Sequence, residues 1–108
     1  MSQTTILEKL KEELRKVEEA LAQLEAEKRA VDEEYSAALN EENKVIEEMR
    51  RCRDQYKYTQ LEIRFNSVSR RRREIESRKN EIERKIRGYS EEKAKIQTRI
   101  EYLKPKSS

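Results

Sequence analysis

The sequence predicts an all-α fold, a long antiparallel coiled coil. Three observations support this fold class: apolar residues recur every seven positions, the chain is unusually charged, and its two halves differ in the sign of their charge. Of the 108 residues, 45% are charged and 33% are hydrophobic, with one Gly, one Pro and no Trp. So little apolar material cannot build a compact core, but it can line a narrow seam between helices.

The apolar side chains follow two heptad series, one in each half of the chain. In the first half the helix-pairing seam consists of Leu7, Leu10, Leu14, Val17, Leu21, Leu24, Val31, Tyr35, Val45 and Met49. In the second half it consists of Leu61, Phe65, Val68, Ile75, Ile82, Ile86, Tyr89, Ile96, Ile100 and Leu103. The two registers are offset by two residues, which neither a stutter nor a stammer produces, so the seam is broken between Cys52 and Tyr58.

These series predict a single coiled-coil domain at 6–103, with a first arm at 6–52, a slip at 53–57 and a second arm at 58–103. An N-terminal cap at 1–5 uses Ser2, Thr4 or Thr5, and Pro105 ends the helix before a tail at 104–108. The alternation of Leu61, Ile63 and Phe65 also fits a short strand, but the helical pattern on both sides favours a helix.

The charges favour helices that run in opposite directions. Residues 1–54 carry a net charge of −5 and residues 55–108 carry +8. In a parallel pair Glu13 would face Glu18, which repels. In one antiparallel register the numbers of facing residues sum to about 110. In this register oppositely charged residues at g positions face each other, such as Glu34 with Arg78 and Glu48 with Arg64.

Two architectures share this antiparallel register. One is a helical hairpin with its tip near residues 53–57, and the other is an antiparallel dimer of one continuous helix. The heptad slip at the midpoint favours the hairpin, whereas the absence of Gly or Pro at the tip favours the dimer.

The composition argues against several classes of function. One Cys and no His supply no usual zinc or haem ligand set, so we expect no metal and no cofactor. The carboxylates recur at helical surface spacing without an apolar pocket, so we expect no catalytic residue and no small-molecule substrate. No apolar run is long enough to span a membrane, and the lone Cys52 predicts an intracellular chain rather than a secreted one. Within the cell we expect it in the cytoplasm rather than the nucleus.

Three functional hypotheses remain. The first is a non-catalytic structural or scaffold protein, for example one associated with the cytoskeleton, that contacts itself or other coiled coils. The second is a nucleic-acid or polyanion-binding protein that uses the basic run Arg70, Arg71, Arg72 and Arg73. The third is a subunit of a hetero-oligomeric helical assembly, which would be poorly helical alone. The aromatic residues near the slip, Tyr56, Tyr58 and Phe65, either bridge it or dock a further helix.

Overall fold

The chain folds as an all-α helical hairpin, which confirms the predicted fold class. A computed structural model describes residues 2–104; Met1 and residues 105–108 of the predicted tail, Pro105 included, lie outside the described residues. Helix α1 spans Gln3–Arg51 and helix α2 spans Gln55–Leu103. Residues 52–54 connect them, so the tip lies at the heptad slip and the hairpin is the architecture adopted.

Helix α1 has polar and charged groups suited to both of its ends. The Ser2 hydroxyl accepts a hydrogen bond from the Thr5 backbone N–H at 3.2 Å, so among the three candidate caps Ser2 fills the N-cap position. Arg50 and Arg51 occupy the last turn, where positive charge is favourable beside the free carbonyl groups.

The turn between the helices forms without Gly or Pro. The Cys52 N–H donates to the Met49 carbonyl at 3.3 Å, which tightens the end of α1. Asp54 then caps α2, because its Oδ1 accepts a hydrogen bond from the Lys57 N–H at 3.0 Å. Across residues 2–104 no residue has a positive φ, so this turn does not need a glycine. The absence of Gly and Pro from the tip was therefore a wrong reason to favour the dimer.

The described chain divides into two compact units, and the first combines residues 2–27 with 82–104. Its core is a cluster of Leu10, Val17, Ile96 and Ile100, with Leu7, Leu14, Leu21 and Leu103 packed against it. The predicted layers Leu7 with Leu103, Leu10 with Ile100 and Leu14 with Ile96 all lie within this cluster. Side chains from the two ends of the sequence therefore bury one another, as an antiparallel register requires.

The second unit consists of residues 28–81 and includes the turn. Its buried apolar side chains come from both helices and are Val31, Ala38, Val45, Val68 and Ile75. Two polar residues, Glu42 and Ser69, are buried with them. This half of the seam therefore buries a carboxylate as well as apolar groups.

Gly88 lies in the interior of α2 without a structural reason to be glycine. Its φ is not positive, and a Cβ placed on it would meet no atom within 4 Å. Glycine in a helix interior costs about 1 kcal/mol relative to alanine, because it loses more backbone freedom on folding.

We therefore expect Gly88→Ala to raise the free energy of unfolding by about 0.5–1 kcal/mol, measured by urea denaturation followed by circular dichroism. The opposite change at an exposed interior position of α1, Ala26→Gly, is the matched control and should lower it by a similar amount. A destabilised Gly88→Ala protein would show that the backbone at this position is not an ordinary helix.

Candidate interaction surfaces

The predicted seam residues lie between the helices to different depths. Nine are buried: Leu10, Val17, Leu24, Val31, Val45, Val68, Ile75, Ile96 and Ile100. Ten are half-buried: Leu7, Leu14, Leu21, Tyr35, Met49, Leu61, Phe65, Ile82, Ile86 and Leu103. Tyr89 is exposed and lines a shallow cleft with Ala20 and Leu24, so its hydroxyl can remain in water.

A buried carboxylate in the seam is matched by an arginine from the facing helix. Glu42 is 8% exposed, and its Oε2 and Oε1 accept the Arg72 Nε–H at 3.2 and 3.3 Å. Arg72 also donates from Nη1 to Glu76 at 2.7 Å on its own helix. The hydrogen bond to Glu42 raises the pKa of the Arg72 guanidinium above its ordinary value. Glu42 and Arg72 each occupy an a position, so two of the charged a positions in the seam satisfy each other.

A second charged cluster joins the helices at Asp32. Lys79 donates from Nζ to Asp32 Oδ1 at 2.5 Å, and Lys28 donates to Asp32 Oδ2 at 3.0 Å. Both ammonium groups therefore converge on one carboxylate. These hydrogen bonds, the one from Lys79 first, lower the pKa of Asp32 below its ordinary value of 3.8.

Ion pairs at the edges of the seam also join α1 to α2. Arg78 lies 3.0 Å from Glu34, and Arg64 lies 3.6 Å from Glu48. Both are g-to-g pairs that the antiparallel register predicts. Arg64 also approaches Glu41 at 3.9 Å, although the register assigns Arg71 to Glu41. Such exposed pairs contribute about 0–1 kcal/mol each, so they favour one orientation and add little stability.

The basic run 70–73 does not form a single surface. Arg72 points into the seam, where its side chain is 22% exposed, while Arg70, Arg71 and Arg73 are exposed. Consecutive residues of a helix point in directions about 100° apart, which explains this separation. The predicted polyanion contact is therefore reduced to three arginines on different sides of α2.

The outward face of α2 beside the turn carries a set of residues of which only Tyr56 was identified from the sequence; the other two aromatic residues near the slip, Tyr58 and Phe65, are half-buried. The members of the set are exposed, uncharged and spaced at i, i+3, i+4, i+7, i+10 and i+11, so they share one helix face. We call this set the outer stripe, and it consists of Tyr56, Thr59, Gln60, Ile63, Asn66 and Ser67. Tyr56 is 74% exposed and Ile63 is 61% exposed. The sequence did contain a signal: in the twelve residues 56–67, every position that faces outward is uncharged.

An open groove beside the outer stripe lies between α2 and the end of α1. Ile63, Gln60 and Ser67 of the stripe line it together with Leu61 and Cys52. The Cys52 thiol is half-buried and donates to the Asp54 carbonyl at 3.3 Å. Cys52 and Tyr58, which the predicted register placed opposite each other, line one small cleft at the turn.

Compared with known protein families, curated proteins and solved structures, the chain matches none of them. Neither helix, over its described residues, contains a stretch apolar enough to cross a bilayer. Within residues 2–104, no three acidic or cysteine side chains converge as a set of metal ligands. The class that the geometry defines is thus a helical hairpin with a partly polar seam.

The Glu42–Arg72 pair predicts an asymmetric response to substitution. Arg72→Met should lower the midpoint of thermal unfolding, because it leaves the buried Glu42 carboxylate without its partner from α2. Adding Glu42→Leu to that variant should recover most of the loss, because the position then buries an apolar side chain. Thermal melts followed by circular dichroism measure both effects. An unchanged midpoint in Arg72→Met, or no recovery in the double variant, would contradict a stabilising role for the pair.

The Asp32 cluster predicts a loss of stability in acid. Because folding lowers the pKa of Asp32, its contribution is present above pH 3.8 and is lost as pH falls below 3.8 through the lowered value. Asp32→Asn removes this contribution at every pH. The wild-type protein should therefore melt at a higher temperature than Asp32→Asn at neutral pH, and the difference should shrink in strong acid. A difference that stays constant across this range would exclude titration of Asp32 as its source.

Proposed function

We propose that this protein is a non-catalytic structural component, a helical scaffold that contacts other proteins through the outward faces of its hairpin. The observation that carries the proposal is that the two helices bury their apolar residues against each other. Ten of these side chains are buried in the described chain, and they come from both helices. Because each helix satisfies the seam of the other within one chain, the fold does not require a partner to complete it.

The polar contacts within the seam support a structural role over a catalytic one. Glu42 and Asp32 both have basic partners from the facing helix, at 3.2 and 2.5 Å. Each of these carboxylates is occupied by ion pairs that join α1 to α2, and such contacts determine which side chains face each other. We therefore assign them to register selection and not to acid–base chemistry.

Two further observations weigh against the other hypotheses. Arg72 forms ion pairs with Glu42 and Glu76, so this arginine of the basic run 70–73 does not contribute to a surface for polyanions. The self-contained core in residues 2–27 and 82–104 is expected to make the isolated chain helical, unlike an obligate subunit of a larger assembly.

The proposal is tested by photo-crosslinking in the cells that produce the protein. A photoreactive phenylalanine derivative replaces Tyr102, which is 87% exposed near the end of α2, or Tyr56, which is 74% exposed near the turn. We expect light-dependent adducts to other proteins from at least one position, with unirradiated cells as the control. Adducts that disappear only on nuclease treatment would indicate a nucleic-acid-binding protein instead. No adduct at either position would contradict the scaffold role.

A further inference from the structure

We propose that the outer stripe docks an acidic amphipathic helix of another protein. This inference rests on the proposed scaffold function and names its contact surface and the chemistry of its partner. The stripe consists of the six uncharged outward residues of α2 between Tyr56 and Ser67.

The spacing of the outer stripe is that of a helix-pairing seam. Tyr56 and Ile63 are seven residues apart, and Thr59, Gln60, Asn66 and Ser67 lie between or beside them on the same face. This face is opposite the one that packs in the hairpin, where Leu61 and Phe65 are half-buried and Val68 is buried. Helix α2 thus carries two seams here, one used by α1 and the other open to solvent. Exposing Tyr56 and Ile63 is unfavourable in water, and covering them supplies a driving force for docking.

The charge around the stripe selects an acidic partner. Residues 50–73 contain nine Lys and Arg side chains but only two acidic ones, Asp54 and Glu62. Arg64 is already near Glu41 and Glu48 on α1, and Arg72 is paired in the seam. Four other cations near the stripe are exposed and form no ion pair with another residue of the described chain: Lys57, Arg70, Arg71 and Arg73. Acidic residues at the edges of a docking helix would complement these charges.

A second copy of this chain is a poorer occupant. If two outer stripes paired antiparallel, each side of the stripe would face the same side of the copy. The side that carries Lys57 and Arg64 would then face the equally basic side of the second chain. If the stripes paired in parallel, Arg70 would face Arg70 at the end of the seam. The central outward positions of α1 do not complement the stripe either, because four of them are Glu12, Glu19, Glu33 and Glu47.

The stripe is also unlike a surface for lipid or nucleic acid. Five of its six residues carry hydroxyl or amide groups, which are costly to place in the hydrocarbon of a bilayer. A nucleic-acid surface would place cations on the contact face, whereas here they border an uncharged face that contains an exposed Ile63. A helix with an apolar centre and acidic edges matches both features.

The test uses the full-length chain and a fluorescent three-heptad peptide with Leu at positions a and d and Glu at e and g. Repulsion between the Glu edges keeps this peptide from pairing with itself. We expect fluorescence anisotropy to show binding that weakens as salt rises. Ile63→Asp should weaken it about tenfold or more, because it places a charge at the centre of the contact. Ser77→Asp introduces the same charge at an exposed outward position beyond the stripe and should leave binding nearly unchanged.

Several outcomes would overturn the proposal. The first is that the Glu peptide does not bind. The second is that a peptide with Lys at e and g binds equally well. The third is that Ile63→Asp binds the Glu peptide as tightly as the wild-type protein while circular dichroism shows that the variant is folded. Sedimentation velocity that reveals a dimer abolished by Ile63→Asp would assign the stripe to a second copy. Binding to anionic vesicles or duplex DNA that Ile63→Asp abolishes would assign it to those surfaces. A failed peptide test accompanied by crosslinks to proteins at Tyr102 would remove this docking site and leave the scaffold function standing.

Discussion

The hairpin depends on pairing charged side chains within a seam that has too few apolar residues to exclude them. Burial along the seam supplies the favourable free energy, but apolar contacts are non-directional and contribute less to the choice of exact partners. The Glu42–Arg72 and Asp32–Lys79 contacts discriminate more strongly, because a shift of one helix past the other would leave buried or half-buried charge without its partner. The three-residue connection at 52–54 makes the helices antiparallel, and these contacts then pair acidic residues of the first half with basic residues of the second half. Orientation therefore follows from the turn, charge reinforces the register, and stability follows from the seam.

Much of the fold could be predicted from the sequence because heptad spacing reports directly on which side chains are buried. A core layer such as Leu10 with Ile100 can be predicted from the heptad repeat and the antiparallel register alone. Both side chains do lie in the core of residues 2–27 and 82–104. The turn was harder to predict. Its main stabilising feature is an ordinary Asp54 cap, which a search for Gly or Pro overlooks. A break in the heptad register at residues that include a good N-cap was the more reliable indication of a hairpin.

The charged contacts were only partly predictable, since heptad notation fixes the position of a Cβ but not the reach of a long side chain. Arg72 extends from its own layer to Glu42, and Lys79 reaches Asp32 on the facing helix. Likewise, the run 70–73 reads as one basic motif in sequence, yet helix geometry divides it between the seam and three outward directions. The outer stripe was missed for the opposite reason. Ile63 contributed to an apparent strand-like alternation, and its real significance depends on which face of α2 is already covered by α1.

Once α1 has covered the inner face of α2, the only surfaces left for partners are outward ones, and their chemistry becomes the basis of selectivity. Most outward positions of this chain are charged, which keeps the surface hydrated and discourages unspecific contacts. A short uncharged interval with two large apolar side chains is therefore distinct from its surroundings. Its basic border adds orientation, because charge at the rim guides encounter while the apolar centre holds the contact. The charge distribution that specifies the hairpin fold thus also limits where another helix can bind it.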